Sequence, residues 1–157
     1  MKYLHVRHIL FVFILLLGFS VSAEEQLTKG SVELSGVQSL VWGEYTINPV
    51  KHTEEQWNFY VVVVPKTVRQ GKLIEIARDF FKRFPHTRVR FFSDTEHLQQ
   101  YIDRDRYFND STGTVREVSF PDSTWIQDHF LANINNRSGQ RKWILENRYG
   151  SKIHSLP

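Results

Sequence analysis

The chain has 157 residues, 41% hydrophobic and 24% charged, with eight Gly, five Pro, no Cys and a formal net charge of +3. That balance excludes a collagen-like, low-complexity or disulfide-stapled protein, and it is too apolar for a disordered tail. It names no activity.

Lys2 and Arg7 precede an unbroken nine-residue apolar run, Ile9–Leu17, and Val21-Ser22-Ala23 follows with small or compact residues where a signal peptidase reads. This order predicts a cleavable secretory signal peptide over residues 1–23, cut near Ala23. A membrane anchor needs about 20 apolar residues, so stable insertion after cleavage is not expected. No Cys follows the leader, which excludes a diacyl lipoprotein anchor. Without Lys2 and Arg7, 18 basic side chains face 17 acidic ones, a net charge of +1. Neither a nucleic-acid nor an anionic-membrane partner is therefore expected. Residues 24–157 suit a single domain held together by packing alone. Export without disulfides points to a bacterial periplasm or to secretion beyond it.

Residues 24–31 are polar and read as a loose start. Alternation from Leu40 to Ile47 predicts a strand with Val41, Tyr45 and Ile47 on one face. Trp57–Val64 (WNFYVVVV) is apolar without alternation from Phe59 onward, the pattern of a strand buried on both faces in the middle of a sheet. Pro65 ends it, and Thr67…Gln70 has the spacing of a capping box for a helix over 68–84. Leu73, Ile76, Ala77, Phe80, Phe81 and Phe84 form that helix's apolar stripe, with Asp79, Lys82 and Arg83 on its solvated face.

Residues 88–92 read as a short strand, and Ser93…Glu96 as a second capping box opening a helix over about 94–108. Asn109–Thr114 is a turn cluster, 115–120 a further strand, and Pro121-Asp122 starts a helical stub carrying Trp125. Phe130–Ile134 and Lys142–Leu145 flank Asn136-Arg137-Ser138-Gly139 as a hairpin, and the chain frays from about Asn147. The expected fold is a single small α+β domain with an ordered core over about 40–147. Its mixed sheet contains a β-α-β unit (57–64, 68–84, 88–92), and its helices lie chiefly on one face.

Candidate chemistry is sparse. His52, His86 and His154 fall where surface positions are the default. Asp128-His129 resembles a catalytic pair, but adjacent side chains on a strand or helix diverge and do not bond each other. Glu117, Asp122 and Asp128 lie within twelve residues, so paired carboxylates are open. Asp94 and His97 have a spacing that suits one metal, yet no His-rich, Cys-rich or calcium-loop motif exists. No metal and no cofactor are expected.

If the strands ending at Val64 and Phe92 are parallel neighbours, Lys66, Thr67, Ser93 and Asp94 share the sheet edge where α/β proteins bind ligands. Trp57, Trp125 and Trp143 sit in apolar segments and read as core, while Trp42 points outward. Tyr101, Tyr107 and Phe108 with Arg104 and Arg106 nearby have the composition of a recognition patch. The expectation is an exported, non-catalytic binding protein for another protein, such as an inhibitor, an immunity-type partner or an accessory envelope factor. The alternatives are a small hydrolase using His129, Asp128 and Glu117 from separate loops, and a small-anion binder at Lys66, Thr67, Ser93 and Asp94.

Overall fold

The computed structural model describes residues 27–49, 56–110, 112, 119–136 and 142–157. The expected signal peptide and His52 lie outside them. The order is β1 (Gly30–Leu34), β2 (Val37–Ile47), β3 (Trp57–Val63), α1 (Gln70–Arg83), β4 (Arg88–Phe92), α2 (Leu98–Asn109), α3 (Ser123–His129), β5 (Phe130–Asn136), β6 (Trp143–Glu146) and β7 (Lys152–Ser155). All seven strands form one sheet in sequential order. Every neighbouring pair is antiparallel except β3 and β4, which are joined through α1 and run parallel. The fold is the expected α+β domain with its β-α-β unit and C-terminal antiparallel strands.

The central position expected for WNFYVVVV follows from its composition. Val61 and Val62 are both fully buried although they point to opposite faces. Val62 and Val64 pack with Val89, Phe91, Ala132 and Ile134 under Leu73, Ile76, Ala77, Phe80 and Phe81 of α1. Phe59 and Val61 pack with Phe92 and Phe130 under Leu98, Tyr101 and Ile102 of α2 and Trp125 of α3. Helices thus cover both faces rather than chiefly one. Residues 59–64 are apolar at both parities, so neither face can be left to water.

Two bulges redirect side chains. A register shift between Val41 and Gly43 puts Val41 in the α1 core while Tyr45 and Ile47 join the α2 core. They do not share one face, because an extra residue reverses the alternation. Trp42, at the bulge, is half-buried against the α2 core instead of pointing freely outward. The shift between Phe91 and Phe92 opposite β5 likewise sends Phe130 to the α2 face and Ala132 and Ile134 to the α1 face.

Strands also form at residues 30–34 and 152–155, beyond the core expected over about 40–147. Residues 30–34 pair with β2 across a two-residue turn whose Ser35 and Gly36 have φ of 49° and 74°. That double left-handed geometry matches the strand twist. Lys152–Ser155 pairs with β6 instead of fraying, and it is followed by Leu156, buried, with its N–H donating to the Trp143 carbonyl at 2.9 Å. Neither expected capping box forms. The N-caps of α1 and α2 are Arg69 and His97, with no side-chain cap hydrogen bond. Thr67 lies in the turn before α1, and Asp94 accepts from Glu96 N–H in a local turn that delays α2 to Leu98. The expected strand over 115–120 lies mainly outside the described residues; Ser119 and Phe120, its last two, are in no strand.

Candidate functional site

Parallel pairing brings the carboxyl ends of β3 and β4 together, Val63 opposite Phe92, with Val64 N–H donating to the Phe92 carbonyl at 2.8 Å. From there the chain leaves in opposite directions. Exposed Lys66 and Thr67 lead to α1 on one face, while half-buried Ser93 and Asp94 lead to α2 on the other. Ligand crevices in open α/β sheets lie where neighbouring connections part in this way. No hydrogen bond or ion pair joins Lys66 or Thr67 to Ser93 or Asp94 among the described residues.

Ser93 instead meets His129. The β4–β5 ladder continues one step through Ser93 N–H donating to the His129 carbonyl at 2.9 Å. It sets the Ser93 Oγ 3.1 Å from the His129 Nδ1. The His129 ring lies against Trp125 at 5.4 Å, and His97 meets the same indole edge-on at 5.5 Å. The Glu96 N–H chiefly holds the Asp94 carboxyl below its ordinary range; slight burial opposes this, and Trp125, His129 and His97 add to the lowering. Asp128 is exposed and makes no hydrogen bond to His129, as the divergence of adjacent side chains predicts. Glu117 lies outside the described residues. Among the described residues no group of His, Cys, Asp or Glu is arranged to hold a metal ion, and no helix is long and apolar enough to cross a membrane.

The α2 face carries two further features. One is internal. Arg90 of β4, its side chain largely covered, pairs with buried Asp105 of α2, Nη2 to Oδ2 2.7 Å. Its Nη1 donates to the Tyr101 hydroxyl oxygen. Tyr45 O–H donates to the same Asp105 oxygen at 2.8 Å, and Asn109 Nδ2 donates to Oδ1 at 3.1 Å. The guanidinium also lies over Phe59, 4.5 Å from the ring centroid. Burial works to remove the Arg90 proton, but Tyr101, Tyr45 and Asp105 outweigh it and raise the pKa. Burial raises the Tyr45 phenol well above its ordinary range, with Arg90 opposing and Asp105 reinforcing. This cluster ties β2, β4 and α2 together. Sequence reasoning missed it, and its one legible signal is an arginine in the middle of the strand RVRFF.

The other feature is external. Tyr107, Phe108 and Phe120 are 51%, 58% and 48% exposed. Their rings nevertheless touch one another, Phe108 stacking on Phe120 at 5.6 Å and Tyr107 meeting both edge-on. Arg104 lies over Phe108 at 5.4 Å. Of the expected recognition patch, Tyr107, Phe108 and Arg104 are therefore grouped at the surface. Tyr101 is buried in the core, and Arg106 lies over Tyr45. Phe120 was not anticipated, because only the fold returns it to α2. Beside the patch, between α2, α3 and the β6–β7 turn, a cleft of about 280 Å³ is lined by Tyr101, Arg104, Ser123, Ile126, Gln127, Phe130, Arg148 and Tyr149.

No family model matches the chain, and no curated protein or solved structure matches it either.

Proposed function

We propose that the protein is an exported, non-catalytic binding protein that meets another protein through the C-terminal end of α2. The observation that carries this is the cluster of Tyr107, Phe108 and Phe120, three rings in mutual contact and each about half in water. Burying the remainder of each ring is worth about 2 kcal/mol, and aromatic side chains with a neighbouring Arg are the usual anchors of interfaces. The partner's matching surface is an apolar patch with a carboxylate at its rim, facing Arg104. Export is supported by the leader's basic, apolar and small-residue order. An inhibitor, an immunity-type partner or an accessory envelope factor all fit this description.

The test is differential capture. Tyr107→Ser, Phe108→Ser and Phe120→Ser are combined, the melting temperature is checked, and the protein is used as bait in envelope extract beside the unaltered chain. A partner held by the unaltered chain and released by the variant supports the proposal; an identical set on both overturns it. Export is tested separately by sequencing the N-terminus of protein made with its leader. A chain starting at Glu24 is expected, and one retaining Met1 in the cell counts against export.

A second reading, a small hydrolase, has one observation in its favour: the Ser93 Oγ lies within reach of the His129 Nδ1. That contact would let His129 take the hydroxyl proton as Ser93 attacks an acyl carbon. This replaces the expected use of Asp128 and Glu117 with a Ser–His pair. Ester and peptide substrates screened against the unaltered protein, Ser93→Ala and His129→Ala decide it. Hydrolysis lost in both variants supports it, and no turnover, or turnover untouched by both substitutions, removes it.

A further inference from the structure

The cleft beside the aromatic patch has a composition of its own. Tyr101, Ile126 and Phe130 contribute apolar surface, Arg104 and Arg148 contribute two guanidinium groups, and none of the described residues lining it is acidic. Neither arginine makes an ion pair among the described residues. Arg104 lies over Phe108, and Arg148 donates to the Gln127 carbonyl and lies over Tyr149 at 4.7 Å. These contacts orient the two planar groups and leave both without an ion-pair partner among the described residues. Ser123 adds a hydroxyl, which in this structure points to Asp122 at 3.4 Å. The Asp122 carboxylate is itself turned to the Thr124 N–H at 2.9 Å, outside the cleft lining.

Two guanidinium groups over an apolar floor select a particular ligand chemistry. Guanidinium binds carboxylate through paired, charge-assisted hydrogen bonds, and the floor rewards an apolar group attached to it. A volume of about 280 Å³ is small for a ligand site and suits one ring on a short stem. We propose that this cleft binds a carboxylate carried on a short apolar or aromatic stem. Arg104 and Arg148 take the carboxylate, and Tyr101, Ile126 and Phe130 receive the stem. The carboxylate belongs either to a free small acid or to the C-terminal residue of a peptide. The site shares Arg104 with the partner surface proposed above, but the rings of Tyr107, Phe108 and Phe120 do not line it.

The experiment uses protein purified from expression of the full chain and four probes followed by NMR and calorimetry. These are hydrocinnamic acid, its amide, and a short Phe-terminated peptide with a free or an amidated end. Either acid is expected to bind, with its amide about tenfold weaker or worse. Arg148→Ala and Arg104→Ala should each weaken the acid by about fivefold or more while the melting temperature holds. Tyr107→Ser, which leaves Phe108 in place beneath Arg104, should bind it as before. Tighter binding of the small acid assigns the free-ligand source, and tighter binding of the peptide assigns the terminal residue. Equal binding of acid and amide, or no acid binding up to roughly 10 mM, where the interaction would be worth under about 3 kcal/mol, overturns the proposal. Retained acid binding in the double arginine variant overturns it as well.

Discussion

Arg90 and Asp105 form an ion pair of 2.7 Å with side chains only 14% and 8% exposed, joining the central strand β4 to helix α2. A charge in that position is held by its partner and by the ring of Phe59 beneath it. Removing one member leaves the other buried without compensation. Asp105→Ala and Arg90→Ala are each expected to lose about 3–5 kcal/mol of stability. Arg90→Met combined with Asp105→Leu should lose much less than the two together. Urea denaturation of the three variants measures this, and additive losses would show that the pair is not coupled.

The same cluster sets the alkaline limit. Burial, opposed in part by Arg90, raises the phenols of Tyr45 and Tyr101 above the ordinary 10.0. Their contribution is fully present below pH 10. Above it, an unfolded chain releases protons that the folded chain retains, so stability falls as pH rises toward the folded values. Tyr45→Phe should flatten that decline. It should also lose about 1–2 kcal/mol at neutral pH, because its hydroxyl no longer satisfies Asp105. Unfolding midpoints between pH 8 and 11 read both effects.

At the acid end the sign is reversed. The Glu96 N–H, against slight burial, holds Asp94 below its ordinary 3.8, and the Thr124 N–H does the same for Asp122, the N-cap of α3. Their stabilisation is present above 3.8 and is lost as pH falls through their lower folded values. Asp94→Asn and Asp122→Asn should make the acid decline shallower. Asn at position 122 should still cap the helix at neutral pH. Thermal melts at pH 7 and pH 3 test this, and unchanged slopes would count against it.

The β1–β2 turn is tied to α1. Ser35 N–H donates to the Asp79 Oδ2 at 2.6 Å, and both turn residues have positive φ. Gly36→Ala places a Cβ on a left-handed residue and should lose about 1–2 kcal/mol. Asn adopts that conformation more readily than Ser, so Ser35→Asn should gain about 0.5 kcal/mol. Asp79→Ala should weaken the hairpin's attachment without unfolding the domain, seen as faster amide exchange in residues 30–41 alone.

Much of the fold was legible because it is written in local pattern. The run WNFYVVVV is too apolar on both parities to sit anywhere but inside a sheet, and the stripe from Leu73 to Phe84 has one face to bury. The Ser93…Glu96 capping box does not form because Asp94 has a nearer donor in Glu96 N–H and Ser93 has a partner in His129. A sequence spacing does not show which donor wins. The β1–β2 turn was announced only by Ser35-Gly36, a dipeptide that also occurs in ordinary loops.

By itself, then, the sequence determined the class: a cysteine-free chain with a leader-like start, a β-α-β unit and antiparallel strands to follow. Each of those properties depends on residue type and on spacing of a few residues. Tertiary structure alone decided which distant groups meet. Tyr45 reaches Asp105 across 60 residues, Phe120 stacks on Phe108, and Arg148 shares a cleft with Arg104. Two bulges choose the faces, and a one-residue insertion in a strand reverses every side chain beyond it. Composition carries no trace of that reversal until the strands are paired.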